Sequence, residues 1–162
     1  VISIGSIHGG VRHNIIPDTV DLVGTIRTHN QEIRSLIKER IERTTTNIAA
    51  SAGGVAVVSY GFGVPVNANS PKLVDKMLPT LKRVAGSDKV HLQQPVMGYE
   101  DFAHFQKEIP GMFIFLGARP RAVPKDEAAP NHSPYFVIDE DALKLGVRTL
   151  ASLALDFLSH QR

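Results

Sequence analysis

The chain has 162 residues, of which 43% are hydrophobic and 21% charged, as in an ordinary soluble globular protein. Its 18 basic and 16 acidic residues give a formal net charge of +2, too small a surplus for a phosphate-binding surface. The lack of cysteine excludes disulfides and thiolate metal sites, and no apolar run approaches the roughly 20 residues of a membrane span. We therefore expect a soluble, cytoplasmic protein with no nucleic-acid or membrane partner.

The first elements alternate apolar and small or polar residues, as strands do. The opening stretch is "VISIGSI" (1–7), which lacks an initiating Met, so we expect a piece of a longer polypeptide. After the turn "NIIPD" comes "TVDLVGTIR" (19–27), which predicts an antiparallel partner strand. Asn30 then caps a helix that ends at "SAGG", and "VAVVSY" (55–60) predicts a third strand. This order predicts a small open-faced sheet covered by a helix.

A domain boundary is predicted at "GFGVPVNANSP" (61–71), which is dense in Gly, Pro and Asn. The Ser-Pro pair at its end begins a helix that continues despite Pro79, which should kink it. The stretch "EDFAHFQKEIPG" predicts a short helix. The apolar run "MFIFLGA" (112–118) predicts a strand buried on both faces. After a proline-rich loop (119–130), the pattern of "DEDALKLGVRTLASLALDFLSHQ" predicts a last helix with acids in its first turn.

Two groups of residues are candidates for metal or proton chemistry. Pro130 and Pro134 restrict the backbone around His132, which would hold the imidazole in one direction, as a metal ligand needs. The alternative is an exposed loop histidine, because one imidazole does not make a metal site. Glu100 and Asp101 stand at a loop-to-helix junction, where carboxylates bind metal or move protons but also suit the helix dipole. The residue types alone favour the structural alternative for both groups.

Asn14 and Arg27 are the candidates for binding a carboxylate. Asn14 precedes the proline turn and Arg27 ends the second strand, so an amide and a guanidinium would together offer charge-assisted hydrogen bonds. The alternative is a turn asparagine and an edge arginine that merely bracket a hairpin. From spacing and turn chemistry alone, this second interpretation is favoured.

Four motifs in a fixed order change that balance. They are "GGVRHNIIPD…GTIRT", "VMGYEDFAHF", "FIFLGA" and "NHSPYFVIDEDALKLGV". Over essentially the whole chain they resemble the zinc aminoacylase and carboxypeptidase family of metallopeptidases. The branch they resemble most includes hippurate hydrolase, N-acyl-amino-acid amidohydrolases and auxin-conjugate hydrolases. Members of the family have a catalytic α/β domain around two metal ions, interrupted by an α+β lid domain that also makes the dimer.

The resemblance implies an α/β fold with an α+β lid. Residues 1–69 would be the later part of a ferredoxin-like lid (dimerisation) domain. Residues 70–162 would be the C-terminal segment of the α/β metallohydrolase catalytic domain. The family's lid has four strands and two helices, whereas we count three strands and one helix, so we expect this chain to lack the lid's first strand and helix. A homodimer through the lid is the implied assembly.

The resemblance also implies roles for individual residues. Asn14 and Arg27 match the pair that grips the free carboxylate of the substrate in the family. His132 matches a metal ligand. Gly98 matches a stretch near the active-site wall and is grouped with the substrate-binding residues. For Glu100 and Asp101, which lie in the same stretch, the resemblance implies a location but no role.

The implied activity is that of a metal-dependent amidohydrolase that cleaves the amide bond of N-acyl amino acids such as hippurate. It would use two divalent metal ions: zinc, or else manganese, cobalt or nickel. The family's other metal ligands and its general-base glutamate lie upstream of this chain, so no catalytic residue is expected here. The chain alone is therefore predicted to be inactive and not to hold the metals stably. The alternatives are a dipeptidase or carboxypeptidase of the same family, and a non-catalytic dimerisation or binding fragment.

Overall fold

The structure is a computed structural model that describes residues 1–159, an α/β chain with two strands and four α-helices. In chain order these are β1 (Ile2–Gly9), β2 (Val20–Ile26), α1 (Gln31–Ser51), α2 (Pro71–Ala85), α3 (Phe102–Glu108) and α4 (Asp141–Ser159). A single 3-10 turn, Ser87–Lys89, follows α2. No helix among these residues combines the length and apolar composition that crossing a bilayer requires.

The chain divides into two compact units. The first unit contains Val1–Val66 and Pro95–His104, and the second contains Asn67–Gln94 and Phe105–Arg162. This division reflects compactness within the chain only. The assignment of residues 1–69 to a lid and of the remainder to a catalytic domain therefore stays a prediction.

The two strands of the first unit pair antiparallel, as predicted. Their ladder runs from Ile2 opposite Ile26 to Gly9 opposite Val20, with one irregularity inside β1. The backbone of Arg27 extends this pairing, because it exchanges hydrogen bonds of 2.8 and 2.7 Å with the first residue of the chain. The main chain of Arg27 is thereby held at the end of the sheet.

Gly24 lies opposite Ile4 in a close approach of the two strands. A methyl group added to Gly24 would come within 2.5 Å of the Ser3 carbonyl oxygen and 2.9 Å of the Ile4 side chain. Because the Ser3 contact is with backbone, the strand itself must move, and we expect Gly24→Ala to lower the free energy of unfolding by about 1–3 kcal/mol. Denaturant titration measures this change. Gly61→Ala is the control, since its methyl meets nothing within 4 Å, and equal losses in both variants would contradict the steric argument.

Helix α1 begins and ends where the sequence predicts. The side chain of Asn30 accepts a hydrogen bond of 2.9 Å from the backbone N–H of Ile33, which satisfies a donor of the first turn. At the other end Gly53 adopts a left-handed φ of 73°, and the N–H of Gly54 bonds to the Ala49 carbonyl at 2.9 Å. The glycines thus end the helix by the mechanism expected from their conformational freedom.

The strand predicted at residues 55–60 is wrong, because this segment has no ladder partner among residues 1–159. It keeps the alternation that suggested a strand, since every second residue is half-buried. Side chains hold it instead: the Tyr60 hydroxyl donates to the Lys38 carbonyl at 3.0 Å, and the Lys38 ammonium lies 4.6 Å from the ring centre. Burial raises the pKa of Tyr60, and the Glu42 carboxylate adds to this, so the phenol remains a donor.

In the second unit, α2 supplies most of the buried side chains. The buried residues of α2 and α4 are Met77, Thr80, Leu81, Val84 and Thr149. Asp156 of α4 joins the two helices, because one of its carboxylate oxygens accepts from the Thr80 hydroxyl and from the Arg83 guanidinium, both at 2.6 Å. Helix α2 continues past Pro79, as predicted. The last two residues of the predicted final helix lie outside the described residues.

The strand predicted at residues 112–118, buried on both faces, is also wrong. No ladder forms there among residues 1–159, and Phe115 is 65% exposed. Instead, the side-chain amide of Asn69 bonds to both backbone groups of Phe113: its Nδ2 donates to the Phe113 carbonyl at 2.8 Å, and its Oδ1 accepts from the Phe113 N–H at 2.7 Å. The side-chain amide of Asn69 thus makes the pair of hydrogen bonds that the backbone of a neighbouring strand would otherwise make.

Candidate functional site

Asn14 lies in the loop between β1 and β2. It occupies the third position of a turn in which the Ile15 N–H donates to the Arg12 carbonyl at 3.3 Å. Its side chain is exposed and has no hydrogen-bond partner among residues 1–159. The amide is therefore free to donate to, or accept from, a ligand.

Arg27 leaves the end of β2 with an exposed guanidinium. Its Nη1 donates to the carbonyl oxygen of Met97 at 2.5 Å. Within residues 1–159, the other N–H groups of this guanidinium have no protein partner. A planar cation that is fixed at one nitrogen and open at the others suits a carboxylate ligand.

Gly98 follows directly on the carbonyl that Arg27 contacts. Its N–H has no partner among residues 1–159, and a Cβ built on it would meet nothing within 4 Å. The structure therefore brings together two of the predicted site residues, Arg27 and Gly98, through the Met97 carbonyl. Asn14 belongs to the same compact unit but has no hydrogen bond to either of them.

The acidic pair before α3 has a local structural role. The Glu100 carboxylate accepts a hydrogen bond of 3.1 Å from the backbone N–H of Phe102, and the Asp101 carbonyl accepts one of 2.9 Å from the N–H of His104. These contacts satisfy donors of the first turn of the helix. They agree with the helix-start interpretation of Glu100 that the residue types favoured.

His132 lies in the second unit on a constrained turn. Its φ of 72° makes it the one non-glycine residue with positive φ in the described part of the chain. The Ser133 N–H donates to the Pro130 carbonyl at 3.1 Å, which closes a turn with positive φ at its third position, as in type II turns. Histidine tolerates this region better than most residues, yet the conformation costs about 1 kcal/mol. The turn fixes the backbone of His132 and leaves its imidazole exposed.

Residues 1–159 hold no group of three or more His, Asp or Glu side chains placed to bind a metal ion. A catalytic metal site needs several protein ligands, and His132 supplies one imidazole. Residues 1–159 are therefore compatible with one ligand of a shared site and do not by themselves fit a complete metal centre.

Comparison with known proteins places the chain in a family. The family model described as Peptidase family M20/M25/M40 matches residues 6–156. The chain belongs to this family. This confirms the resemblance to the metallopeptidases that the four motifs indicated.

Two curated relatives and one solved structure of the M20 family show the extent of the similarity. The chain is 39% identical to thermostable carboxypeptidase 2 of Saccharolobus solfataricus over 97% of its own length and 39% of that protein. It is 32% identical to N-acetylcysteine deacetylase of Bacillus subtilis over 96% of its length and 38% of that protein. The YXEP protein of Bacillus subtilis, described as a dinuclear metal binding peptidase, matches with a TM-score of 0.79 and 31% identity over 98% of this chain and 42% of its own.

These M20 relatives are much longer than this chain, which spans about 39% of the length of the curated ones. The roles of Asn14, Arg27, Gly98 and His132 are tested neither by the comparisons nor by the contacts, and they stay predictions. Sequence reasoning missed the Met97 carbonyl as the partner of Arg27. No sequence signal points to it, because every residue carries a carbonyl and this one lies 70 positions away.

Proposed function

We propose that this chain acts as part of a metal-dependent amidohydrolase that cleaves the amide bond of N-acyl amino acids, hippurate-like compounds included. The observation that carries the proposal is the exposed Arg27 guanidinium beside the open Gly98, with N–H groups left for an anionic ligand. Family membership supports hydrolysis, and one relative is named as a deacetylase of an N-acetylated amino acid.

In this proposal the chain's own residues bind and orient the substrate. Arg27 pairs with the free carboxylate and Asn14 adds an amide donor, which together fix the position of the scissile amide. An internal peptide bond offers no such carboxylate, so the guanidinium selects substrates with a free carboxyl end. A pair of divalent metal ions, zinc in our proposal, supplies an activated water when bound. His132 is the residue of this chain that we propose as one of the ligands.

The carboxylate preference is directly testable with substrates. The full-length enzyme, supplied with divalent metal, should release the free amino acid from N-acetyl and N-benzoyl amino acids. Converting the substrate's carboxylate to a primary amide should lower kcat/KM by about 30-fold to 150-fold, because charge-assisted hydrogen bonds worth about 2–3 kcal/mol are lost. Quantifying the released amine gives the rates. Equal rates for acid and amide would contradict the role of Arg27, and no hydrolysis of any N-acyl amino acid would contradict the proposed activity.

A dipeptidase or carboxypeptidase activity is the second candidate, because one relative is named a carboxypeptidase. The two activities share the free carboxylate and differ at the other end of the substrate, where a dipeptide carries an ammonium group and an N-acyl amino acid does not. Comparing glycyl and N-acetyl derivatives of one amino acid separates them. Faster cleavage of the glycyl compound would favour the peptidase.

We also propose that residues 1–69 belong to a ferredoxin-like lid through which the enzyme forms a homodimer. The support is that β1 and β2 form a two-stranded sheet whose apolar residues stay exposed, for example Ile7 at 64% and Val23 at 62%. A two-stranded hairpin with such surfaces needs further packing partners to be stable in water. Sedimentation of the full-length enzyme tests this, and a monomer at micromolar concentration would contradict it.

A further inference from the structure

The hydrogen bond from Arg27 fixes the orientation of one peptide group. The Met97 carbonyl that accepts it belongs to the same peptide group as the N–H of Gly98. No cis peptide bond occurs among the described residues, so this group is trans and its N–H points away from its carbonyl oxygen. The N–H of Gly98 is therefore directed to the side opposite the Arg27 guanidinium.

This peptide group has little else to hold it. Residues 90–100 form neither helix nor strand, so no ladder of backbone hydrogen bonds sets the orientation of their peptide planes. Arg27, by contrast, has its main chain fixed at the end of the sheet by bonds of 2.7 and 2.8 Å. A charged donor on the carbonyl also polarises the peptide group, which makes its N–H a stronger donor.

The space that the Gly98 N–H faces is suitable for a ligand. Gly98 is exposed, its N–H has no partner within residues 1–159, and a side chain at this position would meet no atom within 4 Å. The exposure of Gly98 and its unpaired N–H leave this donor open to a carbonyl or carboxylate oxygen, and the empty space at the Cβ position shows that no protein atom crowds the residue on that side.

We infer that Arg27 is a positioning residue for Gly98: by holding the Met97 carbonyl, it directs the Gly98 N–H toward an acceptor oxygen of the bound N-acyl amino acid. This oxygen is a second one, distinct from any that pairs with the free N–H groups of the guanidinium. The inference rests on the proposed function for the identity of the ligand. The orientation of the peptide group itself does not depend on the ligand.

The first test measures that orientation in the ligand-free, full-length enzyme by NMR. The ¹⁵N resonance of Gly98 reports the bond, because the accepting carbonyl and this nitrogen share one peptide group. We expect Arg27→Ala to shift this resonance and Arg27→Lys to return it part of the way, since an ammonium can still donate to the carbonyl. Arg12→Ala is the control, because its exposed side chain has no partner among residues 1–159. A Gly98 resonance that is the same in wild type and Arg27→Ala would overturn the inference.

The second test removes the donor. Gly98→Pro lacks the N–H, whereas Gly98→Ala retains it and adds a methyl in open space. We expect kcat/KM for N-acetyl amino acids to fall about 10-fold to 100-fold further in the proline variant than in the alanine variant. Equal kinetics in the two variants would overturn the role of the N–H, and the NMR result decides the orientation if the proline variant does not fold. An enzyme that cleaves no N-acyl amino acid would refute the proposed function but leave the NMR test intact.

Discussion

Arg27→Ala in the full-length enzyme is expected to raise KM for N-acyl amino acids by about 30-fold to 150-fold while the metal content stays the same. The variant removes a cation whose N–H groups we propose to pair with the substrate's carboxylate, a loss of about 2–3 kcal/mol. It also releases the Met97 carbonyl, to which Arg27 donates at 2.5 Å. Initial-rate kinetics measure KM, and elemental analysis of the purified protein measures the metal.

The matched control for this prediction is Arg12→Ala, which removes an exposed arginine from the same compact unit without breaking a side-chain contact among residues 1–159. A second control is the substrate itself. With a substrate whose carboxylate is amidated, Arg27→Ala should raise KM much less. Mutation and amidation remove the same pairing, so their effects are not additive. Unchanged kinetics across several N-acyl amino acids would remove Arg27 from the substrate site.

His132→Gly is expected to lower activity and metal content together while sparing the fold. Loss of a metal ligand should cost more than the about 10-fold to 100-fold that is typical of residues that only support a ligand. Glycine adopts the φ of 72° without strain, whereas alanine does not, so metal-free His132→Gly should be about 1 kcal/mol more stable than His132→Ala. Metal analysis, initial rates and denaturant unfolding of the metal-free proteins give the three quantities.

Two outcomes would contradict this account of His132. Full metal content in both variants would show that the imidazole is not a ligand. Equal stability of the two metal-free variants would show that the turn does not impose the left-handed conformation. Metal content reports on ligation and the stability difference reports on the backbone conformation. Either prediction can therefore be wrong while the other is right.

The helices were predictable because their signals are local. The Asn30 cap, the Ser70-Pro71 start and the glycines after α1 each act within one turn of the residue concerned, so sequence spacing is enough to place them. Residues 55–60 and 112–118 have the composition of strands, but a strand also requires a partner in its ladder. That partner is a non-local property, and the described residues contain none for either segment.

The candidate site was predictable only in part, for a similar reason. The motifs that resemble a known family indicated Arg27 and Gly98 as two separate site residues. The structure adds the Met97 carbonyl, which connects them. The prolines around His132 predicted a restricted backbone but not its sign of φ, which depends on how the turn closes between Pro130 and Ser133. Backbone acceptors and turn types are set by the folded chain and not by the identity of single residues.

The hydrogen bonds between Asn69 and Phe113 affect how readily the side-chain amide of Asn69 deamidates. Asparagine deamidates when the backbone nitrogen of the next residue attacks the side-chain amide. Here that nitrogen, of Ser70, donates to the Gly111 carbonyl at 2.9 Å, and both ends of the amide are bonded to Phe113. Conversion to aspartate would place a carboxylate oxygen against the Phe113 carbonyl, where a donor now stands. The contacts that order this loop therefore also protect Asn69 from slow chemical damage.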